Sequence, residues 1–92
     1  MLDRTDQIAA DRVAKLVRRV MGNQPVARPI GPDDDLRACG LSSLGLVNLM
    51  LSVETEFGLQ VPEREMTPAN FRTIARIVEL VDALSNQSAL PA

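Results

Sequence analysis

Apolar residues recur at helical spacing along this chain, and no segment shows the alternating pattern of a β-strand. The first such segment covers about residues 5–21, with Thr5 as a candidate cap and Gly22-Asn23 as a suitable helix end. Its apolar stripe consists of Ile8, Val13, Leu16, Val17, Val20 and Met21. The spacing predicts an amphipathic first helix whose basic residues lie mostly on the solvent side.

The second helix is predicted from about Ser43 to Phe57, where Gly58 ends it. This segment is apolar around more than one face, so it is either deeply buried or carries an exposed apolar strip. We expect Met50 to serve as adaptable packing or as a contact surface for partners. We expect the core positions of this helix to be Leu44, Val47, Leu51 and Phe57.

Two further helices are predicted after Gly58. Thr67-Pro68, a cap followed by proline at the first helical position, indicates a short third helix at about 67–72. Thr73 begins the last helix, at about 73–86, and residues 86–92 are expected to fray. The apolar stripe of the last helix consists of Ile74, Ile77, Val78, Val81 and Leu84. The pattern therefore predicts an all-α fold with a long proline-rich loop over residues 22–42.

The segment Gly40-Leu41-Ser42-Ser43-Leu44-Gly45-Leu46 places two serines at the start of the second helix. Gly40 permits a tight or left-handed backbone before the helix, and Ser42 is suited to cap it. Ser43 then falls in the first turn with its hydroxyl towards solvent. A phosphate ester there would be stabilised by free N–H groups and by the helix dipole. Serine caps begin many helices, so the motif is informative only together with its surroundings.

Those surroundings resemble the acyl carrier protein family, which includes the peptidyl carrier domains. The family signature is Asp-Ser-Leu at a helix start, preceded by Gly and followed by an apolar run that closes with Glu-Phe-Gly and an apolar-Pro pair. The matching segments are Gly40, Ser42-Ser43-Leu44, Val47-Asn48-Leu49, Val53-Glu54-Thr55-Glu56-Phe57-Gly58, Val61-Pro62 and Asn70-Phe71-Arg72-Thr73-Ile74. The resemblance covers roughly residues 5–85.

The chain departs from this signature at two positions. Ser42 stands where the family usually has Asp, and neutral Asn48 replaces a frequent Glu. Two adjacent serines are therefore candidates for the modified residue. In the family, Leu follows the modified serine and Gly precedes it by three residues. Leu44 and Gly40 therefore place the modification on Ser43.

The resemblance implies a small four-helix bundle of the acyl-carrier type, formed by one domain over residues 1–92 with its core at about 5–85. Its long first loop would be anchored by Ile30 and Leu36. Ser43 would carry a 4′-phosphopantetheine group, transferred from coenzyme A by a separate phosphopantetheinyl transferase. An acyl or aminoacyl group would be carried on the thiol of that group as a thioester.

On this interpretation the chain is not an enzyme and has no catalytic residue. The resemblance implies as partners the transferase, an acyl- or aminoacyl-loading ligase, and downstream transferases or synthases, with the chain itself a monomer. The cargo stays open among fatty acyl, polyketide, hydroxyacyl, D-alanyl and aminoacyl groups. Carriers of general fatty-acid synthesis usually have a dense acidic strip on the second helix, so within the resemblance the net charge of only −2 favours a specialised or aminoacyl pathway.

The composition excludes several other kinds of site. The chain has no His, Trp or Tyr, which removes His-dependent acid–base chemistry and His metal ligands and disfavours base-stacking nucleic-acid modules. The single Cys39 excludes an intramolecular disulfide, and we interpret it as a small buried hydrophobe. We interpret Asp33-Asp34-Asp35 as solvated charge, because consecutive loop residues rarely converge on one metal ion. We expect no metal ligands.

Charge is distributed unevenly along the chain. Residues 1–32 carry a net charge of +3 and residues 33–92 a net charge of −5, which favours docking of the serine half onto basic partners. A helical protein–protein interaction module without a prosthetic group stays open as the alternative, and a DNA-binding domain is disfavoured by the net acidity. No signal peptide and no apolar run of about 20 residues occurs, so we expect a cytoplasmic protein without a membrane span.

Overall fold

The computed structural model describes residues 4–22 and 30–89, with the side chains of 7–22 and 30–85. Within these ranges the chain contains no strand, and the predicted all-α class is confirmed. The α-helices are α1 (Arg4–Met21), α2 (Ser43–Phe57) and α3 (Ile74–Ala89). Two 3₁₀ turns, Glu63–Glu65 and Pro68–Phe71, connect α2 to α3.

The predicted third helix is a 3₁₀ turn and not an α-helix. Thr67 caps it through its side-chain oxygen, which accepts from the Asn70 N–H at 3.3 Å, and the Thr67 carbonyl accepts from the same N–H at 3.1 Å. The turn has only four residues, a length that suits i→i+3 bonding better than an α-helix. A four-helix bundle is therefore not confirmed: the described residues form three α-helices.

The helix ends follow from local capping. Ser42 has extended backbone angles and precedes α2, and Gly58 ends this helix in the left-handed conformation at φ 62°. Thr73 accepts from the Arg76 N–H at 3.0 Å at the start of α3, and Gly22 ends α1 at φ 64°. These ends confirm the prediction, with two differences. Helix α1 begins at Arg4, so Thr5 lies inside it, and α3 continues to Ala89.

The core lies between the three helices. The apolar stripes of α1 and α3 are buried as predicted, except that Ile8 is 53 % exposed and Val20 is half-buried. The prediction for α2 is wrong: Leu44 is 72 %, Val47 51 % and Leu51 54 % exposed, and Phe57 is only half-buried. The buried apolar side chains of α2 are Leu46, Leu49, Met50 and Val53.

The long loop is fixed to the start of α3. Leu36 is fully buried and Ile30 packs against the core, which confirms both as anchors. The Leu36 N–H donates to the Arg72 carbonyl and the Ala75 N–H donates to the Pro32 carbonyl, both at 2.9 Å. Helix α1 packs against both α2 and α3. None of the described helices combines the length and apolar character needed to cross a membrane.

Candidate functional site

The candidate site is the N-terminal end of α2. Ser43 is the first residue of this helix, and its side chain is exposed as predicted. Among the described residues, none accepts a hydrogen bond from the N–H of Ser43 or of Leu44. The first turn also carries no acidic residue. An exposed hydroxyl therefore lies beside free N–H groups at the positive end of a helix dipole, an arrangement that fits a phosphate ester.

The neighbouring serine is engaged in the fold. The Ser42 Oγ accepts from the Gly45 N–H at 3.0 Å, and the Ser42 carbonyl accepts from the Leu46 N–H at 2.8 Å. The bond to Gly45 satisfies one of the N–H groups that a helix start leaves unpaired, and the bond from Leu46 is the first backbone hydrogen bond of α2. Ser42 therefore acts as the cap, as predicted, while the Ser43 hydroxyl bonds to none of the described residues.

Gly45 shapes the site, and sequence reasoning did not single it out. A Cβ at this position would lie 2.9 Å from Leu41 Cδ1, 3.2 Å from Ser42 Oγ and 3.6 Å from Val20 Cγ1. The absence of a side chain thus lets the start of α2 pack closely against α1 and against the loop before it. A glycine within the first turn of an apolar helix was the available signal for such a close approach.

The aspartates of the loop are partly structural, which corrects their interpretation as solvated charge. Asp34 is half-buried, and its Oδ2 accepts from the Gly31 N–H at 2.7 Å. Asp35 accepts from the N–H groups of Arg37 and Ala38 and from Arg72 Nε. Partial desolvation acts to raise the pKa of Asp35, but these hydrogen bonds and the Arg72 charge together lower it below its ordinary value.

Cys39, in the loop just before the site, is half-buried and packs against the core. The prediction of a small buried hydrophobe is therefore confirmed only in part. Its N–H donates to the carbonyls of Asp35 and Leu36, at 3.0 and 3.2 Å, so the residue is part of the turn that leads into Gly40. Gly40 has φ 116°, which confirms the expected left-handed backbone before the helix.

An exposed apolar stripe begins directly after Ser43. It consists of Leu44, Val47 and Leu51, which follow the i, i+3, i+7 spacing of one helix face, and each is more than half exposed. Three neighbouring exposed aliphatic side chains beside a candidate modification site are typical of a contact surface for other proteins. We call these three residues the α2 stripe.

The acidic residues of α2 are engaged within the molecule. The Glu54 carboxylate accepts from the Val61 N–H at 2.8 Å. The Glu56 carboxylate pairs with Arg12 Nε at 2.8 Å, and the Arg12 guanidinium carbon lies 4.3 Å from the centre of the Phe57 ring. Two acids of the half that the sequence predicts to dock onto basic partners are therefore engaged in bonds within the molecule.

Comparison with known proteins decides the family. The family described as "Phosphopantetheine attachment site" matches residues 11–81. The chain belongs to this phosphopantetheine-binding family of carrier proteins. This confirms the predicted resemblance and the predicted class of prosthetic group.

Curated relatives agree with this assignment. The chain is similar to Aminoacyl carrier proteins 2 and 1 of Bradyrhizobium diazoefficiens, with 39 % and 37 % identity over 77 % of this chain and 80 % and 79 % of theirs. It is also 34 % identical to a probable acyl carrier protein of Streptomyces coelicolor, over 71 % of this chain and 78 % of that one. Membership in this family confirms a function in carrying acyl or aminoacyl groups.

Two solved structures share the fold. Both contain the Bradyrhizobium japonicum glycine:[carrier protein] ligase, in one case with glycylated carrier protein and in the other with its cognate carrier protein and an analogue of glycyl adenylate. The matched chains are 35 % identical to this one, with TM-scores of 0.64 and 0.66. The match covers 77 % and 80 % of this chain and 96 % of each matched chain, so those chains are of carrier size.

Proposed function

We propose that Ser43 carries 4′-phosphopantetheine through a phosphodiester bond and that the loaded group is an amino acid. The observation that carries the proposal is the difference between the two serines. Ser43 is exposed at the first position of α2 beside free N–H groups, whereas Ser42 is bonded to Gly45 as the cap. This supports the register that Gly40 and Leu44 indicate in the sequence.

The residues at the helix start would hold and orient the prosthetic group. When bound, the group supplies a terminal thiol that carries the acyl or aminoacyl cargo as a thioester. The N–H groups of Ser43 and Leu44 would donate to its phosphate. Ser42 and Gly45 keep the first turn of α2 rigid, so that the point of attachment stays fixed relative to the docking surface. The chain supplies no catalytic group, and it presents the cargo at high effective concentration to each enzyme that it meets.

The proposed amino-acid cargo rests on the relatives. The two Bradyrhizobium relatives are aminoacyl carrier proteins, and one structural neighbour is glycylated. We therefore propose a separate aminoacyl ligase as the loading partner, and a phosphopantetheinyl transferase and downstream acyl-transferring enzymes as further partners. We propose that the enzymes dock on the α2 stripe, because it is exposed, apolar and adjacent to Ser43. Since such enzymes need coenzyme A and ATP, we propose the cytoplasm as the location.

Incubation with coenzyme A and a promiscuous phosphopantetheinyl transferase tests the proposal. We expect the intact mass to increase by one phosphopantetheine in the wild type and in Ser42→Ala, and to stay unchanged in Ser43→Ala. A wild type that gains no mass with several transferases, while its circular dichroism shows a folded helical protein, would favour the interaction module without a prosthetic group.

Loading of the modified protein with radiolabelled glycine, ATP and the glycine:[carrier protein] ligase then tests the cargo.

A further inference from the structure

A surface groove runs between α1 and α2, beside the α2 stripe. It has a volume of about 310 Å³, at the lower end of the range of roughly 300–1,000 Å³ for small-molecule pockets. Leu16 and Leu51 contribute apolar surface, and Asn48, Thr55 and Arg19 contribute polar groups. Because Leu51 belongs both to the groove and to the α2 stripe, an enzyme that contacts the stripe also reaches the groove.

The α1 side of this groove carries positive charge. Lys15 and Arg19 are exposed and lie four residues apart, so they share one helix face. Neither forms an ion pair with any residue in the described parts of the chain. Among the described residues, the only acidic one that lines the groove is Glu56, and it is paired with Arg12. The edge next to the α2 stripe therefore keeps a net positive charge, although the chain as a whole is acidic.

We propose that this groove is a second contact for the aminoacyl ligase, which places a carboxylate side chain against Arg19 and an apolar side chain against Leu51. This inference rests on the proposed function. The occupant follows from charge complementarity, since an unpaired guanidinium beside an apolar wall matches a protein surface that offers an acidic and an apolar group together. The expected ligase surface is thus acidic at this contact, whereas the acidic serine half predicts a basic partner.

Charge reversal on α1 tests the groove with a matched control. Arg19 faces α2, whereas its neighbour Arg18 lines a separate cavity with Ile30 and Ile74, between α1 and α3. The variants Arg19→Glu and Arg18→Glu therefore change the net charge equally but at different faces. Both are converted to the phosphopantetheine form, and kcat/KM for loading with glycine by the Bradyrhizobium ligase is measured at low and high salt, with thermal unfolding measured alongside.

We expect Arg19→Glu to lower kcat/KM about tenfold at low salt and Arg18→Glu to lower it less than about twofold, because the reversed charge repels a carboxylate only where the two are in contact. Added salt should narrow the difference in kcat/KM between the two variants.

Equal effects of the two variants, or none, would overturn the groove contact and leave the proposed function intact. Failure of the ligase to load the modified wild type with glycine or with any other amino acid would overturn the aminoacyl function and this inference with it. A wild-type dimer in sedimentation velocity that Arg19→Glu dissociates would assign the groove to a second copy of the chain and overturn the ligase contact.

Discussion

Replacing Gly45 with alanine tests how closely α2 must pack at the site. The new Cβ would lie 2.9 Å from Leu41 Cδ1, closer than carbon atoms approach without movement, and 3.2 Å from Ser42 Oγ. Leu41 is only 4 % exposed, so its side chain has little room to turn away. The Ser42 oxygen is also held by its bond to the Gly45 N–H.

Two opposing contributions decide whether Gly45→Ala raises or lowers the free energy of unfolding. Alanine in place of glycine within a helix stabilises by roughly 0.5–1 kcal/mol, through lower backbone entropy in the unfolded chain. Overpacking of a tight site costs about 1–3 kcal/mol. We therefore expect Gly45→Ala to lower the free energy of unfolding by about 1 kcal/mol and to slow phosphopantetheine transfer, because the cap next to Ser43 must shift.

Urea unfolding measures this loss of stability as a lower midpoint urea concentration, with the slope of unfolding free energy against urea concentration unchanged. Repeating the substitution in a Leu41→Val background removes the Cδ1 atom, and the cost of Gly45→Ala should then fall measurably. Gly22→Ala is the control. A Cβ at Gly22 would meet no atom of the described residues within 4 Å, but its φ is +64°, so the cost of the substitution comes from backbone strain and should not depend on Leu41. A Gly45→Ala protein at least as stable as the wild type, or a cost unchanged by Leu41→Val, would refute this account of the packing.

Three further predictions concern the cap, the loop and the α2 stripe. Ser42→Ala should lose about 0.5–2 kcal/mol of stability in urea unfolding, because the helix cap is removed. Ser42→Asp should be tolerated, since it adds a negative charge at a helix N-terminus, and phosphopantetheine transfer followed by mass should be at least as fast as in the wild type. Because the pKa of Asp35 is lowered in the folded state, its ionised carboxylate stabilises the fold above the unfolded pKa of about 3.9, and this contribution is lost as the pH falls through the folded pKa. The difference in the free energy of unfolding between the wild type and Asp35→Asn should therefore narrow on acidification, as measured in a pH series of urea unfolding. Leu51→Ala should slow glycine loading with little change in unfolding, while Leu49→Ala, at a fully buried position, should cost about 2–5 kcal/mol.

Features with local causes could be predicted from the sequence. The start of α2 follows from Ser42, its end from Gly58, and the start of α3 from Thr73, because each cap is a contact between residues close along the chain. The exposed position of Ser43 follows from the same local geometry. The site could therefore be predicted from the sequence, although the close packing at Gly45 also involves Val20 of α1.

The buried face of α2 could not be predicted in this way. Apolar residues occupy nearly the whole circumference of the helix, so the spacing fits two different faces equally well. Packing against α1 selects Leu49 and Val53 for the core and leaves Leu44 and Leu51 exposed. The count of charges along the sequence also did not predict which acids are available to partners. Glu56 belongs to the acidic half by position, but it is paired with Arg12 of the basic half.

The attachment of the prosthetic group to Ser43 is tested most directly by locating the modification within a peptide. Trypsin cleavage after Arg37 and Arg64 releases residues 38–64, which contain both candidate serines, Ser42 and Ser43. Electron-transfer fragmentation of this peptide, after modification with coenzyme A and a transferase, separates the two positions by the backbone bond between them. We predict that the added mass appears only in fragments that contain Ser43, and that it is absent from the N-terminal fragment ending at Ser42. Phosphopantetheine on that shorter fragment would contradict the account.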